Sequence, residues 1–357
     1  MKDTAEKKVM DGMRISAEEA LHLYRNAGIH TLAHLASLVR FNKNPDPIVT
    51  YVIDRNINYT NICISGCKFC AYYSAPEQET GFVISHEELG KKIAETKALG
   101  GTQILLQGGL HPELPLEFYE EMLKFIKGYD IHCHGFSPPE IIHFSNISGL
   151  SIKEVLERLM AAGLDSIPGG GAEILVDEVR SRIAPRKATT KQWLDVMEAA
   201  HELGLRTTAT MMFGHIETDQ HRIQHLLELR ELQDRTGGFT AFIPWPFQPG
   251  NTAIDVMAAT AQDYLRLLAI SRIFLDNFQN IQASWVTQGA KVAQLALYFG
   301  ANDFGSTMIE ENVVAATGVS HKLSEHEIRR HIKNAGFEPR QRLMDYTIKG
   351  DQDLPGR

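Results

Sequence analysis

Short apolar runs alternate with longer amphipathic stretches along most of this chain. From residue 48 onward, eight apolar runs predict β-strands, and stretches with helical spacing of apolar positions separate most of them. The run 207–213 is apolar on both faces, which is typical of parallel strands covered by helices. The predicted strands span 48–54, 103–107, 131–136, 164–167, 207–213, 239–245, 281–286 and 302–304.

Helical spacing between these runs is bounded by residues that favour helix ends. Ser85 and Ser151 precede two of the stretches as N-caps, and Gly100, Gly163 and Gly204 follow three of them. The predicted helices span 87–99, 116–126, 152–162, 191–203, 220–234, 261–278 and 289–298.

Eight strand–helix steps predict an α/β fold, a (β/α)8 TIM-like barrel or a partial version of it. The alternative is a doubly wound open sheet, which is disfavoured because no glycine-rich dinucleotide fingerprint follows the first strand. We expect an N-terminal segment at 1–47, with two short helices within 16–40 and a linker, then the barrel at 48–307. Residues 308–357 should form a C-terminal helical extension that packs on the barrel.

Composition narrows the class of protein. The 357 residues are 43% hydrophobic and carry 36 basic and 44 acidic side chains, a net charge of −8. An acidic chain without long basic runs argues against nucleic-acid binding. The first sixteen residues lack the apolar core of a secretory signal, and no run is long enough to predict membrane insertion, so we expect a cytoplasmic protein.

The candidate chemistry lies where strands are predicted to end, which is where barrels carry their active sites. Three of the four cysteines form the pattern Cys63-x3-Cys67-x2-Cys70 after the first strand. Three thiolates on one short loop can hold three corners of an iron–sulfur cube and leave one iron open. The alternative is a zinc site with a fourth ligand such as Cys133, although a buried, hydrophobic role suits Cys133 better.

This pattern, with the aromatic Phe69 before its last cysteine, resembles that of the radical S-adenosylmethionine (SAM) enzymes. The resemblance implies a [4Fe–4S] cluster whose open iron binds SAM. An electron from the cluster then cleaves SAM to methionine and a 5′-deoxyadenosyl radical. It also implies a reducing partner such as flavodoxin or ferredoxin.

Longer strings resemble one branch of that family, the futalosine-pathway enzymes of menaquinone biosynthesis and the deazaflavin synthases. They lie at residues 55–61, 101–109, 136–141, 165–173, 242–247, 284–289 and 300–307. Within the branch, the strings are most similar to the enzymes that cyclise dehypoxanthine futalosine. That similarity implies a small-molecule substrate, hydrogen abstraction at sugar C4′, addition to the benzoate ring and rearomatisation. Aminofutalosine synthase and a deazaflavin synthase subunit remain alternatives, as does a zinc-stabilised binding protein without catalysis.

For SAM, the resemblance implies contacts from Phe69, Gly108, Gly109, Glu173 and Arg186. The glycine pair would meet the SAM amino group, Glu173 would accept the ribose hydroxyls, and Arg186 would pair with the carboxylate. Each has an ordinary alternative: a strand-to-loop turn for the glycines, a first-turn helix residue for Glu173 and a surface position for Arg186.

Further polar and aromatic residues at strand ends are candidates for substrate chemistry. Candidates for orienting the substrate or accepting the last proton are His134, His215 and Glu217, although strand-end histidines are often structural. Candidates for substrate contact are Arg55, Asn58, Trp245, Phe247, Trp285 and Asp303, where the aromatic rings would form a slot for the benzoate. Arg55 and Asn58 could instead brace the cysteine loop, and the aromatic rings could be core.

Overall fold

The computed structural model describes residues 2–350. Its α-helices are α1 (Lys2–Met10), α2 (Ala17–Asn26), α3 (Ile29–Lys43), α4 (His86–Ala98), α5 (Leu116–Lys127), α6 (Pro138–Ser148), α7 (Ile152–Ala162), α8 (Asp177–Ile183), α9 (Thr190–Glu202), α10 (Asp219–Thr236), α11 (Ala261–Phe274), α12 (Trp285–Ala296) and α13 (Glu325–Asn334). Its strands are β1 (Ile48–Val52), β2 (Asp54–Asn58), β3 (Gln103–Gln107), β4 (His132–Gly135), β5 (Ser166–Ile167), β6 (Arg206–Phe213), β7 (Phe239–Pro246), β8 (Asn280–Ile281), β9 (Asp303–Ser306) and β10 (Glu338–Gln341).

The strands form a parallel barrel in chain order. Strands β2 to β8 make one seven-stranded sheet, and β9 pairs with β1, which leads directly into β2. A parallel bridge between Gln282 and Asp303 joins the end of β8 to β9, so the ring closes. The predicted α/β barrel is confirmed, and the capping roles of Ser85 and Ser151 are confirmed with it.

The N-terminal segment contains one helix more than its pattern predicted. Helices α2 and α3 match the two helices expected within 16–40. Helix α1 was missed because its sequence is mostly charged, and among residues 4–10 only Ala5 and Val9 are buried. Those two residues are four apart, so they share a helix face and pack toward α2.

Two strand boundaries differ from the prediction for physical reasons. The first strand does not end at residue 54 but continues as β2 to Asn58, because the interior of this barrel is polar there. The strand predicted at 281–286 was wrong beyond Ile281, since α12 already begins at Trp285. A short apolar run alone does not distinguish strand from helix.

The C-terminal extension is not wholly helical. After α13, strand β10 pairs in parallel with β1, with Ile48 opposite Glu338. Arg342, just after β10, lies at the end of the barrel where the strands begin, and its Nε lies 2.6 Å from Asp303 Oδ2. This segment therefore closes the end of the barrel at which the strands begin. No helix between residues 2 and 350 is long and apolar enough to cross a membrane.

Candidate active site

One large cavity of about 440 Å³ occupies the barrel and opens toward the ends of its strands. The cysteine loop after β2, the loops after β3 and β5 and the start of α12 contribute to its wall. The sequence-predicted residues that line it are Asn58, Cys63, Cys67, Phe69, Cys70, Gly108, Gly109, His134, Glu173, Trp245 and Trp285. The barrel thus gathers eleven of the predicted residues around a single space.

The cysteine loop is held in place by backbone hydrogen bonds to three other parts of the chain. Cys63 N–H donates to Ser74 O at 2.9 Å, and Ile64 N–H donates to Leu110 O at 3.1 Å. Lys68 N–H donates at 2.8 Å to the carbonyl of Ile183, at the end of α8. These bonds fix the loop before any cofactor binds, so the three thiols already face the same cavity.

The three thiols of this loop are a donor set that suits an iron–sulfur cluster. Within residues 2–350, no group of three or more His, Cys, Asp or Glu side chains is gathered closely enough to hold one ion. A cubane spreads its cysteine ligands over separate iron corners, whereas tetrahedral zinc draws them around one point. Cys133 does not line the cavity and is packed in the core, where burial raises the pKa of its thiol.

Gly108 and Gly109 connect β3 to the cysteine loop through close packing. Gly108 N–H donates to Glu140 Oε1 at 3.0 Å, and Tyr59 donates its hydroxyl proton to the same oxygen at 2.7 Å. Gly109 N–H donates to Thr60 O at 2.9 Å. Both glycine N–H groups therefore already have acceptors. The carbonyl oxygens of the two glycines are the groups that could accept hydrogen bonds from an ammonium group.

Gly109→Ala should disrupt the cysteine loop. A Cβ at this position would lie 2.1 Å from Ile62 O and 3.0 Å from Cys63 Cβ, so the backbone beside the first thiol must move. We expect reduced iron content after reconstitution, loss of 5′-deoxyadenosine formation and a stability loss of about 1–3 kcal/mol. Gly28→Ala is the matched control, because its Cβ would meet nothing closer than 3.8 Å. Full iron loading in Gly109→Ala would contradict the prediction.

Glu173 lies in the cavity wall and is paired with a residue that the sequence analysis passed over. It follows the glycine string with a left-handed φ of 40°, and its Oε1 lies 2.5 Å from Lys187 Nζ. Burial opposes the charge on Glu173, but the adjacent Lys187 outweighs it and lowers the pKa of the carboxyl. Lys187 also lies over the Phe69 ring, 5.2 Å from its centre, so the pair adjoins the cysteine loop.

Arg186 does not reach the cavity, whereas Lys187 does. The Arg186 side chain is exposed and donates from Nε to Ser65 O at 3.3 Å, which braces the cysteine loop from outside. Lys187 directly follows Arg186 in the chain. The sequence analysis therefore identified this segment but not the side chain that reaches the cavity. A second missed residue is Arg180, whose buried guanidinium donates to carbonyls of the glycine-containing string 165–173, including Gly171 O at 3.2 Å.

His225 fixes the segment that follows Glu173. Its Nδ1 accepts a hydrogen bond of 2.8 Å from Leu175 N–H, and the side chain is fully buried. Burial, and then the charge of Arg180, lower the pKa of His225 to about 3. The neutral imidazole is therefore the form that holds this segment.

Acid should destabilise the protein partly through His225. Between its ordinary pKa of 6.5 and its folded value of about 3, the unfolded chain binds the extra proton, so stability falls as the pH falls. His225→Asn keeps an acceptor but does not titrate. From pH 7 to pH 5 the wild type should lose about 2 kcal/mol more than this variant in denaturant unfolding. The exposed His30→Asn is the control, and equal losses in the wild type and His225→Asn would contradict the expectation.

His134 projects into the barrel from β4. Its Nδ1 lies 2.7 Å from the Ser166 hydroxyl, which is also 2.7 Å from His132 Nε2. Burial lowers the pKa of His134 well below its ordinary value, so the side chain is neutral at physiological pH. A neutral imidazole in the cavity wall is able to accept a proton.

His215 and Glu217 are close together but do not line the cavity. Glu217 accepts hydrogen bonds from the amides of Gly214 and His215 at 2.6 and 2.9 Å and pairs with Arg222 at 2.6 Å. Its second oxygen lies 3.1 Å from His215 Nδ1. This buried group ties the end of β6 to α10, which is a structural arrangement.

The predicted substrate residues divide into two sets. Asn58, Trp245 and Trp285 line the cavity, and Trp285 Nε1 donates to Ser306 O at 2.8 Å. The structure does not bring the other three into the cavity lining. Arg55 pairs outward with Glu95 at 2.9 Å, Phe247 packs in the core and Asp303 is taken up by Arg342.

Comparison with known proteins agrees with this site. Residues 57–229 match the Radical SAM superfamily, the class that the barrel and its three-cysteine loop define. Residues 236–353 match the CofH/MqnC C-terminal region. The fold resembles that of the FeFe-hydrogenase maturase HydG from Carboxydothermus hydrogenoformans, with a TM-score of 0.76 at 18% identity over 96% of this chain and 80% of that one.

Two groups of curated relatives share most of this chain. A cyclic dehypoxanthine futalosine synthase from Halalkalibacterium halodurans is 46% identical, with 96% of this chain and 93% of the relative covered. Its counterpart from Streptomyces coelicolor is 46% identical, covering 94% and 86%. A 5-amino-6-(D-ribitylamino)uracil–L-tyrosine 4-hydroxyphenyl transferase from Archaeoglobus fulgidus is 44% identical, covering 84% and 88%. The chain therefore belongs to the radical SAM family that contains these synthases and transferases, and it is an enzyme that uses a [4Fe–4S] cluster and SAM.

Proposed function

We propose that this enzyme converts dehypoxanthine futalosine to cyclic dehypoxanthine futalosine in menaquinone biosynthesis. The observation that carries the proposal is the 46% identity to two cyclic dehypoxanthine futalosine synthases, which in one case extends over 344 residues. The archaeal transferases match at lower identity, 44% over 307 residues in one case and 42% over 348 residues in another, so the higher identity and not the length of the match favours the synthase. The cavity supports a small-molecule substrate, because it is concave, largely enclosed by the barrel and lined by both aromatic and polar side chains.

The proposed reaction closes a ring by removing two hydrogen atoms from the substrate. When bound, the cluster and SAM supply the 5′-deoxyadenosyl radical. The C4′–H bond of the sugar breaks homolytically, and the hydrogen atom leaves with 5′-deoxyadenosine. The carbon radical then forms a new bond to the benzoate ring. The ring must then lose one electron and one proton to regain its aromaticity. That electron would return to the bound cluster, which was oxidised when it donated an electron to SAM, and the proton would pass to a base in the cavity wall.

The residues of the cavity have separate roles in this proposal. Cys63, Cys67 and Cys70 hold the cluster, and Gly108, Gly109, Phe69 and Glu173 form the SAM side of the cavity. Trp245 and Trp285 offer apolar faces to the benzoate ring. His134 lies inside the barrel and is the candidate acceptor for the proton that leaves the ring. Its lowered pKa makes it a weak base, but a ring that has lost its electron is a strong enough acid to protonate it.

The test is an anaerobic assay of the reconstituted enzyme with dithionite, SAM and dehypoxanthine futalosine, read by mass spectrometry. We expect a product that lacks two hydrogens relative to the substrate, in equal amount to free 5′-deoxyadenosine. Aminofutalosine synthase activity would instead retain the deoxyadenosyl group in its product.

The second candidate is the transferase activity, because a 44% identical relative carries that name. A parallel reaction with L-tyrosine and 5-amino-6-(D-ribitylamino)uracil decides between them. Transfer of the 4-hydroxyphenyl group, with dehypoxanthine futalosine left unchanged, would refute the cyclase proposal.

A further inference from the structure

The inner wall of this barrel is polar where barrels of this type are usually packed. Branched apolar side chains normally fill a (β/α)8 interior in layers. Here alternate residues of β2 and β3 put amide and carboxyl groups on the inner face. The inward residues of these two strands that line the cavity are Asp54, Asn56, Asn58, Gln103, Leu105 and Gln107. Buried polar groups carry a large desolvation cost unless they are hydrogen-bonded, so their partners identify their role.

Most of these groups have partners within the protein, but three polar atoms do not. Oδ1 of Asn56, Oε1 of Gln103 and the hydroxyl of Tyr346 are shielded from solvent and have no hydrogen-bond partner among residues 2–350. All three residues line the cavity. Asn56 and Gln103 are each only 5% exposed.

The orientation of Gln103 is set by its neighbour. Its Nε2 donates to Asp54 Oδ2 at 2.8 Å, and Asp54 Oδ1 accepts from the Ser306 hydroxyl. The amide nitrogen must therefore face Asp54, which leaves the carbonyl oxygen as the free atom. Asn56 follows Asp54 by two residues on β2, so its side chain lies on the same face, one step closer to the cysteine loop.

We propose that Asn56, Gln103 and Tyr346 form a hydroxyl-binding subsite that holds the sugar of the substrate. The free carbonyl oxygen of Gln103 requires a hydrogen-bond donor, and the Asn56 amide can accept or donate. Two carboxyl groups, Asp54 and Asp303, lie beside the single guanidinium of Arg342 at this end of the cavity, which disfavours an anion such as the benzoate carboxylate. A neutral sugar hydroxyl can donate to either amide and also exchange a hydrogen bond with the phenol of Tyr346. Trp245 lies on β7, across the ring from β2 and β3, where it suits the aromatic end of the substrate. This inference rests on the proposed function, because it assigns the two ends of that substrate.

Asn56→Leu and Gln103→Met test the subsite with little change in side-chain size. Each should weaken binding of dehypoxanthine futalosine to the reconstituted, SAM-loaded enzyme by about three- to tenfold, the usual effect of one neutral hydrogen bond. Thr102→Val is the matched control, because Thr102 Oγ1 is also buried without a partner but does not line the cavity. It should bind the substrate like the wild type.

The melting temperature of the Asn56→Leu variant distinguishes a binding role of Asn56 from a structural one. Removing an unsatisfied buried acceptor should leave the melting temperature of Asn56→Leu within about 2 °C of the wild type, or raise it. A structural amide would lower it instead. A fall of more than about 5 °C, or unchanged substrate affinity, would overturn the assignment.

Deoxy analogues of the substrate identify the group that is bound. The affinity loss in Asn56→Leu should disappear for the analogue that lacks the partner hydroxyl, either 2′ or 3′. The same loss with both analogues would overturn the subsite.

Wild-type turnover keeps this test distinct from that of the proposed function. If the wild type cyclises dehypoxanthine futalosine while Asn56→Leu binds it normally, only the subsite fails. If the wild type does not cyclise it, the proposed function fails, and the sugar assignment fails with it.

Discussion

Serine in place of Cys63, Cys67 or Cys70 should abolish formation of 5′-deoxyadenosine from SAM. The three thiols face one cavity from a loop held by bonds to Ser74, Leu110 and Ile183, so loss of one cannot be compensated by another nearby cysteine. Two remaining thiolates hold an iron–sulfur cube poorly. Each variant should lose its brown absorbance, most of its iron and all SAM cleavage after anaerobic reconstitution.

Cys133→Ala is the matched control for these variants. Cys133 belongs to β4, and its side chain is buried in the core and does not line the cavity. Loss of this small buried group should lower the free energy of unfolding by about 1–2 kcal/mol and leave iron content and SAM cleavage intact. A serine variant that keeps its cluster, or a Cys133 variant that loses it, would contradict the assignment of ligands.

Lys187→Met should destabilise the protein by about 3 kcal/mol at pH 8 and impair SAM binding. The substitution leaves Glu173 as an unpaired carboxylate in a site where it is only 5% exposed. The penalty should depend on pH with a defined sign. In the wild type Lys187 lowers the pKa of Glu173, so the pair stabilises the fold above the ordinary carboxyl pKa of 4.5 and this contribution is lost as the pH falls.

In the variant, burial is opposed only by the charge of Arg180 and a backbone hydrogen bond, so the pKa of Glu173 should rise relative to the wild type. The deficit of the variant relative to the wild type should therefore be smaller at pH 5 than at pH 8. Adding Glu173→Gln should recover much of the loss, because no buried charge remains. Lys68→Met, at an exposed lysine of the cysteine loop, should change stability by less than about 0.5 kcal/mol. A deficit in Lys187→Met that does not vary with pH would contradict the role of the pair.

Sequence patterns predicted the barrel because apolar residues are buried where its strands pack against the surrounding helices. Helix caps such as Ser85 and Ser151 are local features, and they were found where expected. The same patterns ended the first predicted strand at residue 54, although β2 continues to Asn58. They missed this part because β2 turns Asp54, Asn56 and Asn58 inward rather than apolar side chains. A strand that lines a polar cavity does not show the expected apolar pattern.

The cavity residues were predictable where a local string fixed their position. The three cysteines, the glycine pair and Glu173 belong to such strings, and all line the cavity. The partners of charged residues were not predictable, because they come from distant segments. Asp303 is paired by Arg342 from the C-terminal extension, and Glu217 is paired by Arg222 from α10. Neither pairing leaves a signal in the spacing of the residues around it.

The position of β10 at the outer edge of its sheet affects how this protein can associate with others. Glu338 N–H donates to Pro47 O, just before β1, and Arg342 N–H donates to Tyr51 O in β1, so the alternate residues Pro339 and Gln341 turn their backbone groups outward. Pro339 has no N–H to offer, and the outward carbonyl of Gln341 already accepts from Lys349 N–H at 2.8 Å. An approaching strand therefore finds few backbone groups with which to pair. Self-association by strand addition is therefore disfavoured at this edge.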